Sequence, residues 1–278
     1  MIAKPFRRKP FRLIFAAIAV VLLIAYSLRL GEEYPVESLD TDTARHGTIA
    51  IFGATGTAGD GVLKAAISDS DVVKIFVVTR RTSPRIDAGV ATGLVQMTTH
   101  MDYLDYTPLQ ELLSEVDTVY WALGTASANV TEEQYGAIHV DFPVGMAKEW
   151  MNTRKSGELS FHLISGMAAS ADSRMMWARE KARAESALFD LADGTNMRVI
   201  SYRPAYIVPT EEQAKFGHNL LHTIFAPIKL ALRATAIGEA MLEVSARGDQ
   251  LENRTILENK EIIEFSNGYR QRAGLGDK

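Results

Sequence analysis

The 278-residue chain contains no cysteine. That excludes disulfides, a thiolate metal site and a thiol nucleophile, and it leaves no thiol from which to read the redox compartment. No short-period repeat or low-complexity tract is present either, which removes the solenoid and disordered classes. Positive charge is scarce over most of the chain. Six of the 30 Lys and Arg residues lie within residues 1–29, which hold no acid, so all 34 Asp and Glu residues fall in 30–278. So acidic a body argues against a nucleic-acid binder. With 47% hydrophobic and 23% charged residues, the composition is that of one globular domain with material for a sizeable core.

The sequence has a single long apolar run, "LIFAAIAVVLLIAYSL" (Leu13 to Leu28), lying between Arg12 and Arg29. As a helix at roughly 1.5 Å per residue it would span about 24 Å, slightly under the ~30 Å hydrocarbon core, and snorkelling arginines would cover the shortfall. Residues 1–29 are therefore expected to be a basic N-terminus with a single-pass membrane anchor over residues 13–28. A cleaved signal peptide and an Arg-rich mitochondrial presequence running into an anchor are the alternatives. The location is expected to be endomembrane or mitochondrial. Lys4, Arg7, Arg8, Lys9 and Arg12 ahead of the run place the N-terminus in the cytoplasm by the positive-inside rule. Residues 30–46 are polar and acidic without periodicity and read as a linker.

From about Gly47 the pattern changes. "TIAIF", "VVKIFVVTR", "LVQMTTH", "DTVYWALG", "LSFHLISG" and "MRVISYRPAYIV" read as six strands, separated by segments of helical spacing, of which "EEQYGAIHVDFPVGMAKEWMN" is interrupted near Pro143. Strands alternating with helices imply βαβ units and an α/β, doubly wound parallel sheet over residues 47–209.

Directly after the first strand, "GATGTAG" places Gly53, Gly56 and Gly59 at the opening of a helix, with Thr55 and Thr57 between them. The first glycine makes the turn tight, the second admits a pyrophosphate to the backbone, and the third lets helix pack on strand. Free N–H groups of the helix then hold the anion. The second strand ends in "VVTRRTSPR" rather than in a carboxylate, so Arg80 and Arg81 are expected to clamp a 2′-phosphate. NADP(H) is favoured on that ground, with NAD(H) the alternative. Asp102 after the third strand is a candidate partner for the adenine amino group, or else a loop cap. Gly124, ending the fourth strand, would let the cofactor approach the backbone.

Several blocks recur in a known order: "GATGTAG", "ALGTA", "LISG", "WAREKARAE", "SYRPAYIV" and "ILENKEI". In these the chain resembles the atypical short-chain dehydrogenase/reductases, over about residues 47 to 265. It looks most like the branch that includes the human Tat-interactive oxidoreductase-like protein and its fungal mitochondrial relatives. The resemblance implies a Rossmann domain followed by a small C-terminal substrate-side subdomain over residues 210–278. It further implies a Ser at the end of the fifth strand and Tyr-x-x-x-Lys on the following helix. Ser165 and Lys181 match, but Trp177 stands at the Tyr position, and no Tyr lies between Ser165 and Lys181.

That spacing has a physical basis, because residues i and i+4 share a helical face: the Lys ammonium reaches the nicotinamide ribose and lowers the Tyr pKa. The Tyr then donates a proton as hydride arrives. An indole N–H donates a hydrogen bond but does not titrate near neutrality. Carbonyl reduction by another acid therefore stands beside a non-catalytic regulatory or assembly module that uses NADPH as a ligand. Tyr135, His162, Tyr202 and Tyr206 are substitutes by residue type only. Arg203 reads as structural, paired with an acid, and the substrate stays unnamed. Two sequons, at Asn129 and Asn253, would matter only for a body facing the secretory lumen.

Overall fold

The computed structural model describes residues 41–214, 226 and 230–275, together with 18 and 21. The apolar run over 13–28 otherwise lies outside the described residues, and among those described no helix is long and apolar enough to cross a membrane. The linker over 30–46 falls outside them as far as residue 40.

Strand β1 (Thr48–Phe52) sets the plan of the domain. Ile49 and Ile51 enter one apolar cluster while Ala50 and Phe52 enter another, and all four are fully enclosed. A strand apolar at every position can lie only where both faces are covered. Parallel to it run β2 (Lys74–Thr79), β3 (Val95–Thr99), β4 (Thr118–Trp121), β5 (Leu159–Ile164) and β6 (Met197–Arg203). The sheet order is β3-β2-β1-β4-β5-β6-β9, so the six strands expected from sequence gain a seventh, β9 (Thr255–Glu258), which pairs in parallel with β6. A short pair, β7 (Tyr206–Val208) and β8 (Ala231–Arg233), stands apart.

Helices cover both faces. On one side α1 (Thr57–Ser68), α7 (Ala234–Ala246) and α8 (Asn259–Arg272) bury Val62, Leu63, Ile237, Met241 and Ile262 against Ile49 and Ile51. On the other, α3 (Gln110–Glu115), α5 (Phe142–Thr153) and α6 (Met176–Ala192) bury Leu113, Trp150, Ala184 and Leu188 with Phe52 and Phe161. Each such fully enclosed large side chain contributes roughly 1.5–3 kcal/mol. Helix α2 (Pro84–Ala91) follows the second strand, with Ser83 accepting from Ile86 N–H as its cap. The described part of 210–278 joins the first of these clusters through α7 and α8 and completes the sheet through β9.

The interruption expected near Pro143 takes a definite form. Helix α4 (Glu132–Gly136) runs into a π turn, Ala137–Asp141, before α5 begins at Phe142. Pro143 has no N–H to give to the carbonyl one turn back, and Phe142 N–H bonds five residues back to Ala137. The widened turn carries His139 against the exit of β4.

Candidate active site

The order of strands reverses at β1, whose neighbours are β2 on one side and β4 on the other, and beyond the carboxyl ends of these strands lies a cleft of about 420 Å³. This is where ligands enter open parallel sheets. Gly53, Thr55, Gly56, Arg80, Arg81 and Gly124 all line it.

The glycine turn meets the steric demands read from its spacing. Gly53 has φ +84°, and a side chain there would also strike the Leu123 backbone at 2.5 Å. A Cβ on Gly59 would sit 2.1 Å from the Gly53 carbonyl, so helix and turn close on each other only without one. Gly56 caps α1 with no side-chain bond, which leaves the first N–H groups of the helix without a side-chain cap. Thr57 opens that helix.

Arg80 and Arg81 are exposed at the end of β2, and among the described residues neither pairs with an acid. Their neighbour Arg85 is committed elsewhere: it holds Asp60 at 2.8 Å and Glu212 at 3.2 Å. Asp102 is engaged by its own loop, accepting from Leu104 N–H at 3.0 Å, and its sequence neighbours Met101 and Tyr103 line the cleft in its stead.

Ser165 directly follows β5 (Leu159–Ile164). Its hydroxyl is buried and has no hydrogen-bond partner among the described residues. An unsatisfied buried hydroxyl costs free energy, on the order of 1–3 kcal/mol, and such groups cluster where a ligand completes the bonding. The residues on either side of it touch α6. Lys181 Nζ donates to the Ile164 carbonyl at 3.0 Å, and the Trp177 ring lies 3.6 Å from where a Gly166 side chain would begin. Ser165, Trp177 and Lys181 are thus brought together, and Ala168, three residues on, holds the left-handed φ of +67° that marks a constrained loop.

Charge alternates along "AREKARAE", but the charged groups do not share one solvated face. Lys181 falls on the stripe Trp177, Lys181, Ala184, Leu188, Ala192, whose last three members are core. Burial pushes its ammonium down to about 8, with Glu185 opposing the shift. Glu185 in turn is held by Arg203 Nε at 2.9 Å and by Ser201 Oγ at 2.7 Å, so Arg203 has the structural, acid-paired role expected of it.

The substitutes named by residue type separate. His162 and Tyr202 are fully enclosed and bond to each other at 2.8 Å, and His162 also contacts Ser160 and Ser245 in a closed network behind the sheet. Tyr206 belongs to β7. Tyr135 stacks on His139 with ring centroids 4.0 Å apart. His139 is a site residue that the sequence did not disclose. Thr125 N–H donates to its Nε2 at 3.2 Å, and a Cβ on Gly124 would strike its ring at 2.6 Å, so Gly124 is required by His139 as well as being open to the cleft. Burial and the nearby Lys181 charge push its pKa down to about 3, so the ring stays neutral. The available signal was Pro143, four residues on, which breaks the helix that would have turned His139 elsewhere.

Asn253 of the second sequon spends its side chain inside the fold. Its carbonyl accepts from Val199 N–H at 3.1 Å and its amide nitrogen donates to the Phe189 carbonyl and to Asp193.

Comparison with known proteins agrees with this architecture. No protein-family model matches the chain. Protein FMP52, mitochondrial, of Lodderomyces elongisporus is 27% identical over 222 residues, covering 72% of this chain and 87% of that protein. A short chain dehydrogenase/reductase from Saccharomyces cerevisiae superposes with a TM-score of 0.60 at 12% identity, covering 78% of this chain and 98% of that one. A 3-oxoacyl (acyl-carrier-protein) reductase from Agrobacterium tumefaciens with NADP bound gives 0.58 at 14% identity, over 82% and 98%. At these identities the solved structures show the fold. With the fungal relative they are consistent with the atypical short-chain dehydrogenase/reductase branch that the motifs resemble.

Proposed function

We propose that the chain is an NADP(H)-binding, oxidoreductase-like protein, held to a mitochondrial membrane through residues 13–28. The observation that carries this reading is the cleft itself: a glycine turn that tolerates no side chain at Gly53 or Gly59 opens beside two arginines that, among the described residues, have no acidic partner. Gly53, Gly56 and Gly59 with the N–H groups of α1 hold the pyrophosphate, and Arg80 and Arg81 the 2′-phosphate. Lys181 leaves the Ile164 carbonyl for the nicotinamide ribose, and Ser165 Oγ gains its missing partner in a substrate oxygen. A bound nicotinamide would supply or accept hydride at this end of the cleft. The NADP-bound reductase of the same fold and the mitochondrial name of the fungal relative support the cofactor class and the location.

Catalysis on this reading concerns a small or lipophilic carbonyl, for which Trp177 supplies an apolar wall and a hydrogen bond but no proton. The indole favours a second reading, a non-catalytic regulatory or assembly module for which NADPH is a ligand or redox signal. A titration of the full chain with NADPH and NADH, followed through quenching of Trp121 and Trp177 fluorescence, tests the shared premise. NADPH binding tighter than NADH is expected; binding of neither nucleotide would reject both readings.

A further inference from the structure

Away from the cleft, where the chain enters β1, three groups meet. His46 closes a 3-10 turn (Thr43–His46), Asp69 caps the C-terminus of α1, and Asp71 lies two residues beyond. Each offers one ligand atom, and the three atoms lie within 4.8 Å of one another. His46 is wholly enclosed and Asp69 is 7% exposed. Yet among the described residues neither ring nitrogen of His46 completes a hydrogen bond, and Asp69 Oδ2 has His46 only at 3.7 Å, with the Tyr269 hydroxyl also beside this carboxylate. Buried imidazoles are nearly always satisfied, so an enclosed imidazole left open beside two carboxylates calls for a ligand.

The spacing says which kind. His46 Nε2 and Asp69 Oδ2 are 3.7 Å apart. That is long for a hydrogen bond, whose heavy atoms approach to about 2.7–3.2 Å. It is close to the roughly 3.4 Å that separates two ligands of a tetrahedral ion with bonds of about 2.0–2.1 Å. For His46 and Asp69 that is an inward adjustment of a few tenths of an ångström, while Asp71, whose ligand atom lies within 4.8 Å of both, would turn further to join them.

Charge points the same way. Asp71 lies 3.4 Å from Arg272, which also holds Glu243 at 2.9 Å, and Glu243 is shared with Arg247 at 2.9 Å. Among the described residues three carboxylates, Asp69, Asp71 and Glu243, thus face two guanidiniums, an excess of negative charge that a cation would offset. Arg272 keeps Glu243 as its partner if Asp71 turns toward an ion. Imidazole with carboxylates suits a borderline first-row dication, whereas calcium and magnesium take oxygen ligands.

We propose that His46, Asp69 and Asp71 bind one first-row divalent cation, zinc foremost, with water completing its coordination on the half-buried Asp71 side. The ion is structural: it fastens the segment entering β1 to the end of α1, at the opposite end of the strands from the cleft.

The test uses the full chain stripped with a chelator, then titrated with Co²⁺ while its visible absorption is followed, with Zn²⁺ as competitor. One equivalent of cobalt, a spectrum erased by zinc, and a higher thermal midpoint with metal are expected. Asp71→Asn is expected to weaken cobalt binding at least tenfold, and His46→Gln to abolish it, both with NADPH binding retained. If His46→Gln does not fold, Asp71→Asn decides alone. Cobalt binding unchanged by Asp71→Asn overturns the assignment. So does a thermal midpoint that follows pH but ignores metal, which would make His46 and Asp69 an ordinary ion pair. The nucleotide titration is read independently, so loss of one inference leaves the other standing.

Discussion

The two halves of the candidate site are built from different materials. Around Gly53, Gly56 and Gly59 the work falls to backbone: a positive φ, two close approaches and the uncapped start of α1. Around Ser165, Trp177 and Lys181 it falls to three side chains gathered from the end of β5 and the first two turns of α6. Backbone machinery tolerates almost no substitution, since a single Cβ at Gly59 would collide at 2.1 Å. Side-chain machinery can lose one member with no strain on the fold, and the indole of Trp177 packs beside Gly166 without disturbing Lys181 on the same stripe. The comparison teaches that nucleotide binding and proton transfer can part company in this architecture.

The sharpest way to break that comparison is Trp177→Tyr. Placing a titratable hydroxyl four residues before Lys181 is expected to raise NADPH-dependent reduction of a small aromatic aldehyde by about 10²–10⁴-fold, the usual worth of a placed general acid. A native protein that already turns over as fast as the variant would show that another group supplies the proton. Robust native turnover surviving Lys181→Ala would overturn the roles assigned to both residues.

At the backbone end, Arg80→Ala and Arg81→Ala are each expected to weaken NADPH binding about tenfold or somewhat more. A charge-assisted hydrogen bond is worth about 1.5–3 kcal/mol, and about 1.4 kcal/mol is tenfold. NADH affinity should move less than twofold in the same calorimetric titrations; equal losses for both nucleotides would mean that the arginines do not read the 2′-phosphate.

The smallest effect concerns pH. Burial holds the Lys181 ammonium down to about 8 in the free protein. It is charged below that pH, so affinity for the ribose is expected to be level on the acid side and to fall a few-fold as pH rises through about 8. Lys181→Arg should flatten the profile. The stability contribution has the opposite slope. Because the folded value lies below the ordinary 10.5, the unfolded chain binds more protons between the two, and stability from this group rises with pH across that window. A thermal midpoint that does not rise there, relative to Lys181→Met, would contradict the burial of the ammonium.

How much of this was legible beforehand follows the same division. The glycine turn and the two-sided burial of β1 were readable because backbone geometry permits few residues there. Six strands stood out as apolar runs bounded by turns, whereas β9 did not: at four residues, with only Leu257 fully buried, it carries too little pattern to separate it from a loop. Helical periodicity absorbed His139 into a face of one long helix, and only the π turn ahead of Pro143 re-aims it. Asp102 shows the limit from the other direction. A carboxylate after β3 was visible, but its commitment to Leu104 N–H depends on loop dihedrals that composition does not encode. The buried bond between His162 and Tyr202 was equally hidden, since partners 40 residues apart meet only through the pairing of β5 with β6.

Helix α1 packs against α7, and β6 gains its outer neighbour only from β9. The first helix of the domain therefore waits for partners that lie far along the chain from it. Until then its apolar side stays uncovered, and long-range pairings of this kind close slowly.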